Sequence, residues 1–140
     1  MNLSYRILKN RISSFNRKAH GEQDFYRIAK EQKFQVYDLE LECLGCYVAD
    51  KDGDYIFIDP RIRPPLRYEV EFHELTHALL DFPCDFLYFR QQLNAEIFSL
   101  IFLIPKKQLL ELLQMPFDEI DYRLQPFIIR RKKIYEIFGV

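Results

Sequence analysis

The stretch LGCYVADKDGDYIFI, residues 44–58, decides the fold class. Two apolar runs, 44–49 and 55–58, flank Asp50-Lys51-Asp52-Gly53-Asp54. Asp-Gly between two such runs signals a hairpin, because glycine takes positive φ at no steric cost. The acidic turn lacks the twelve-residue spacing and closing glutamate of a calcium loop, so it reads as a turn alone. Upstream, residues 34–41 alternate, and Val36 and Tyr37 favour an extended chain, giving a third strand. Further upstream lie two helical segments. Residues 3–18 carry Leu3, Ile7, Leu8, Ile12 and Phe15 near helical spacing, and 22–33 repeat the pattern with Phe25, Ile28 and Ala29. Downstream, Pro60, Pro64 and Pro65 end the sheet, and Pro65 suits the first turn of a helix over 66–82. Further helices are expected over 89–104, stopping at Pro105, over 106–114 and over 126–138. Helices, three strands, then helices imply an α+β domain: a small three-stranded sheet, antiparallel or mixed, with helices packed on it.

The bulk numbers agree with one such domain over residues 1–140: an N-terminal helix within 1–20 and C-terminal helices in 106–140. Apolar residues make up 49% of the chain, with 13 Phe and 9 Tyr, enough to bury a core without disulfides. A net charge of −1 gives no electrostatic case for direct nucleic-acid binding. Arg6, Lys9, Arg11, Arg17 and Lys18, and the run Arg130-Arg131-Lys132-Lys133, read as solvated helix faces. The opening twenty residues are polar and basic, unlike a signal peptide, and the longest apolar run, 97–104, is far too short to span a bilayer. Three cysteines do not suit a secreted disulfide framework, so no membrane association and a reducing cytoplasm are expected. Cys43 and Cys46 form a Cys-x-x-Cys, but it enters a strand rather than opening a helix, and the cysteines read as buried free thiols.

Chemistry concentrates in His73-Glu74-Leu75-Thr76-His77, a His-Glu-x-x-His pattern inside the 66–82 helix. Residues four apart lie on one helix face, so both imidazoles can reach one zinc ion at roughly 2.0–2.1 Å. Glu74 is turned by about 100° from His73, toward the open side of such an ion. There it can act as the general base on the zinc-bound water and return the proton to a leaving amine. The helix has a separate apolar stripe, Phe72, Leu75 and Leu79, so the histidines are not needed to complete the core. The motif takes two of the three histidines in the chain. A catalytic zinc site needs a third protein ligand. The extended zincin form needs Gly at 80 and His or Asp at 83, where this chain has Leu80 and Pro83. The other common arrangement takes an acid from the next helix, and Glu96 is the one acid in 89–104. Asp81 and Asp85 follow the motif helix and read as helix-end or loop acids; Tyr68, Tyr88, Tyr122 and Tyr135 are candidate oxyanion donors that nothing in the sequence distinguishes.

With those residues in view, the chain resembles the ImmA/IrrE family of small zinc-dependent metallopeptidases. The likeness rests on Gly45-Cys46-Tyr47, Tyr55-Ile-Phe-Ile-Asp59, His73-Glu-Leu-Thr-His-Ala-Leu-Leu80, Asn94-Ala95-Glu96-Ile97-Phe98-Ser99 and Leu103-Ile104-Pro105, and it covers 24–105. It implies a gluzincin-type site, with two histidines from one helix and a glutamate from the next. It also implies a protein substrate, a DNA-binding helix-turn-helix repressor, cut at a specific site. The chain departs from the family at two positions. The usual ligand glutamate is replaced by Gln92, with Glu96 one turn later where the family tends to have Asp or Asn; the family often has His where this chain has Asp81. Glu96 is the expected third ligand, with Gln92 as the alternative ligand or as support behind one. The leading expectation is a zinc metalloendopeptidase with Glu74 as base. The competing one is a catalytically degenerate anti-repressor that binds a protein partner, and a small nucleic-acid binder is disfavoured by the net charge.

Overall fold

The structure is a computed structural model that describes residues 2–80 and 88–140. Its elements are α1 (Asn2–Arg11), α2 (Glu22–Glu31), β1 (Phe34–Asp38), β2 (Gly45–Asp50), β3 (Gly53–Ile58), α3 (Leu66–Leu79), α4 (Tyr88–Leu103), α5 (Lys106–Leu112) and α6 (Gln125–Phe138), with a 3-10 turn at Phe117–Glu119. The domain is α+β, and the three-stranded sheet is mixed. Asp-Gly does close the hairpin: Asp50 pairs with Gly53, whose φ of +151° favours glycine. β3 returns between its two neighbours, antiparallel to β2 and parallel to β1, so the order is β1-β3-β2 and β2 is an edge. The link from β1 to β2 is held by Asp59, which accepts hydrogen bonds from Arg61 Nε at 2.9 Å, Arg61 Nη2 at 2.6 Å and the Leu41 amide at 3.3 Å.

Alternation sorts the strands into two faces. Phe34, Val36, Tyr47, Ile56 and Ile58 join the core beneath the helices, where α2 packs on β1 and α3 packs on β2 and β3. α4 lies along α3, and α6 along α4. Rings stitch these layers. Phe72 of α3 stands 5.9 Å from Phe25 of α2 and stacks at 4.9 Å on Phe102 of α4, which meets Phe15 at 4.7 Å. The stripe read from the sequence is buried as expected, with Phe72, Leu75 and Leu79 at 0–2% exposure.

Two features correct the sequence reading. The first helix ends at Arg11 rather than running to residue 18. Ile12 and Phe15 keep helical spacing and are buried, yet they sit on a turn in which Asn16 takes a left-handed φ of 58°. Asn16 is better used there than in a helix, because its Oδ1 accepts the amide of Lys106 at 2.8 Å, at the start of α5. Nor is the basic run near the end a wholly solvated face. Arg131 is fully buried and donates to the carbonyls of Ile104 at 2.7 Å and Val140 at 2.8 Å; burial lowers its pKa to about 10. Arg130 makes a two-pronged ion pair with Glu69 of α3, at 2.6 and 2.8 Å. Among the described residues, no helix is long and apolar enough to cross a membrane.

Candidate metal centre

α3 presents His73 and His77 on one face, one turn apart, with the apolar stripe turned into the core. Their Nε2 atoms are 3.2 Å from each other. α4 then supplies one side chain to the same point: Gln92 Oε1 lies 3.0 Å from His73 Nε2 and 3.3 Å from His77 Nε2. Burial lowers the pKa of both imidazoles. For His77 the value falls to about 4, with the His73 charge adding to the effect of burial. Both rings are therefore neutral at neutral pH, the form in which imidazole ligates a metal.

The fit of these atoms to zinc follows from their spacing. Donors held tetrahedrally at about 2.0–2.1 Å from zinc stand about 3.3–3.4 Å apart. The three separations here, 3.0, 3.2 and 3.3 Å, match one face of such a tetrahedron after a small outward relaxation. The donor types fit too, with two imidazoles and an oxygen. The oxygen belongs to a neutral amide, which leaves the set without anionic charge. Among the described residues no three His, Cys, Asp or Glu side chains come together in a metal-binding group, and the third donor atom that these residues place beside the imidazoles is the amide oxygen.

Glu96, weighed above as third ligand, is exposed one turn further along α4. Its influence on the pair is electrostatic, since its charge raises the pKa of His73 and so opposes the larger effect of burial. Glu74 faces a different way, into a cavity of about 540 Å³ that it lines with Gly45, Cys46, Tyr47, His77 and Gln92. It is 8% exposed, and burial raises its carboxyl pKa to about 7. Such a group is close to half protonated at neutrality and can both take and return a proton.

What sets Glu74 is the approach of β2. A Cβ at Gly45 would fall 2.9 Å from Glu74 Cγ and 2.8 Å from Val70 Cγ1, so only glycine lets the edge strand lie this close to α3. The helix is also fixed at both ends. Glu69, in its first turn, is held by Arg130. At the other end Arg11 donates to the carbonyl of Leu79, and its second Nη reaches Gln32 Oε1 at 2.7 Å. Sequence reasoning quoted Gly45 without its role against Glu74, and it missed Glu69, Arg130 and Arg11 as supports of the helix. The first residue of a strand and arginines in basic segments have no periodicity to mark such roles, and only the packing of distant elements assigns their partners.

The other candidates separate from the site or fall outside the described residues. The cysteines are not buried as expected: Cys43 is exposed and Cys46 half-buried, because both stand at the sheet edge beside the cavity. Tyr122 is 78% exposed, and the ring of Tyr135 is occupied by Lys106 Nζ at 5.2 Å. Asp81, Cys84, Asp85 and the side chain of Tyr88 lie outside the described residues. Compared with protein-family models and with curated proteins, the sequence matches none of either.

Proposed function

We propose that the chain is a zinc metalloendopeptidase that cuts a protein substrate in the cytoplasm. The carrying observation is the convergence of His73 Nε2, His77 Nε2 and Gln92 Oε1 within 3.0–3.3 Å of one another, beside a buried glutamate at a cavity. When bound there, zinc supplies a Lewis acid that brings the pKa of a coordinated water near 7. Glu74 accepts a proton at its carboxylate on the cavity side and hands it on to the departing amine. Burial of its carboxyl favours the protonated form, which helps it hold a proton between the two transfers. A substrate segment would enter the cavity on the side of Glu74 lined by Gly45 and Tyr47. The ImmA/IrrE resemblance names the substrate class, a helix-turn-helix repressor.

The test is zinc content together with cleavage. Purified protein loaded with zinc and dialysed should hold about one ion per chain. His77→Ala should lose it, and Glu74→Gln should keep ion and fold while cleavage of a helix-turn-helix repressor substrate stops. Cleavage that survives Glu74→Gln in clean protein sinks the mechanism. A second reading is favoured by Gln92 itself: with a neutral donor in the carboxylate's place, the chain is a partner-binding anti-repressor built on a peptidase scaffold. That reading expects partner binding that ignores both chelator and Glu74→Gln.

A further inference from the structure

The sheet face turned away from the helices is aromatic. Tyr37 of β1 is in register with Phe57 of β3, and Gln35 with Tyr55. On the other side of β3, Val48 pairs with Tyr55 and Cys46 with Phe57. Residues paired in this way project to one face. The three rings form a ladder: Tyr37–Tyr55 at 6.4 Å, Tyr37–Phe57 at 6.3 Å and Tyr55–Phe57 at 6.3 Å, with ring planes 13–28° apart. Tyr37 is 51% exposed and Val48 40%, so this face meets solvent. The three near-equal separations make the ladder a triangular cluster of half-exposed rings, which contributes less to the fold than the same rings would in the core, and exposed aromatic surface of this kind marks recognition sites.

Charge selects the occupant. The sheet segment, residues 34–59, carries Asp38, Glu40, Glu42, Asp50, Asp52, Asp54 and Asp59 against a single base, Lys51. Two of these acids are neutralised nearby, Asp38 by Arg67 at 3.0 Å and Asp59 by Arg61 at 2.6 Å. Asp50 is in register with Gly53, on the ladder's own face, and a Cβ at Gly53 would stand 3.6 Å from Tyr55 Oη and 3.3 Å from Gln35 Nε2. The acidic hairpin therefore borders the ladder at Tyr55. Aromatic faces with carboxylates beside them suit a guanidinium, which stacks flat on a ring and forks its N–H groups to a carboxylate. They repel a phosphate backbone, which excludes nucleic acid as the occupant.

We propose that this outer sheet face docks an arginine-bearing protein segment, with guanidinium groups stacked along Tyr37, Tyr55 and Phe57 and steered by the hairpin acids. The surface reaches the cavity through β2, since Cys46 pairs with Phe57 and also lines the cavity with Glu74. A segment held on the ladder thus lies next to the candidate active site. The docking stands without the peptidase reading, because an anti-repressor would use the same face.

The experiment uses full-length Glu74→Gln protein labelled with 13C on its aromatic rings. It is titrated with an eight-residue peptide alternating arginine and serine, which in extended form sets every arginine on one side. The ring signals of Tyr37, Tyr55 and Phe57 should shift together, and Tyr37→Val should weaken binding roughly fivefold, the scale of one lost exposed cation–π contact. Asp50→Asn should weaken it as well, and salt should do the same. The same peptide with glutamate for arginine should leave the rings unmoved. Tyr37→Val keeps a strand-forming residue at an exposed position, and Tyr55→Val provides a second variant should the first fail to fold. Three results overturn the proposal: ring signals that stay still at millimolar arginine peptide, binding untouched by either substitution, or ladder signals that move with oligothymidylate or with protein concentration alone.

Discussion

Gly45 and Glu74 touch across the boundary between sheet and helix, closely enough that a methyl group at position 45 would sit 2.9 Å from Glu74 Cγ. The backbone there needs no left-handed φ, so the requirement for glycine is purely one of space. Gly45→Ala is expected to push β2 off α3 and cost about 1–3 kcal/mol, the usual penalty of overpacking. Thermal unfolding and zinc content of the same sample check this. A lower Tm with zinc retained and cleavage reduced is the expected outcome; unchanged cleavage would show that Glu74 does not depend on the strand.

Gln92 and Glu96 can be told apart by their effects on zinc. Gln92→Glu puts a carboxylate where the amide oxygen now stands, 3.0 and 3.3 Å from the imidazoles. Charged contacts exceed neutral ones by about 1 kcal/mol or more, so zinc affinity should rise on the order of tenfold. Glu96→Ala should leave one ion per chain in place. Competition with a chromogenic chelator measures both, and loss of zinc in Glu96→Ala would move the third ligand to that residue.

His20 gives a pH signature apart from the metal centre. It is 3% exposed, with Nδ1 3.1 Å from the Phe102 carbonyl and Nε2 2.8 Å from Ser14 Oγ, a pattern satisfied by a neutral ring with its proton on Nδ1. Burial lowers its pKa below the usual 6.5, outweighing the opposing hydrogen bond to Phe102. The unfolded chain thus takes up this proton first as pH falls. The contribution to stability is full above pH 6.5 and is lost progressively below it, toward the depressed folded value. Denaturant unfolding of wild type and His20→Gln at several pH values isolates the effect, since the histidines of α3 remain in both. The difference between the two proteins should shrink as the solution is acidified from pH 7; a pH-independent difference contradicts the assignment.

Arg131→Met should destabilise by about 3 kcal/mol, because it strands the buried carbonyl of Ile104 and removes the bond to Val140 while filling most of the arginine's volume. By contrast Lys133→Met, on the exposed side of the same helix, should change stability by less than about 0.5 kcal/mol. Equal effects from the two would mean that Arg131 is not the clamp on the end of α4.

How far the sequence could be read follows from the range over which each signal acts. The hairpin at Asp52-Gly53 and the start of α3 after Pro65 are local matters of backbone sterics, and both are legible. The His73–His77 pair is equally local, fixed by one helical turn. The end of α1 was not legible, since Ile12 and Phe15 hold helical spacing while a turn buries them. The approach of Gln92 to the imidazoles was not legible either. Gln92 and Glu96 are one turn apart on α4, and which of them meets the imidazoles depends on how that helix is shifted along α3. Arg131 could not be separated from its basic neighbours, because its acceptors come from positions 104 and 140.

The hydrogen bond from Arg11 to Leu79 spans 68 positions of chain. The last turn of α3, two residues beyond His77, is thus capped by a residue synthesised long before it. An isolated fourteen-residue helix is marginal in water, and closing so long a loop is slow compared with helix growth. The end of α3 is therefore expected to become ordered no earlier than the end of α1 that caps it. In pulse-labelling hydrogen exchange, amides at the end of α3 should gain protection together with those of α1, not ahead of them, so that the helix carrying the imidazole pair is completed from outside itself.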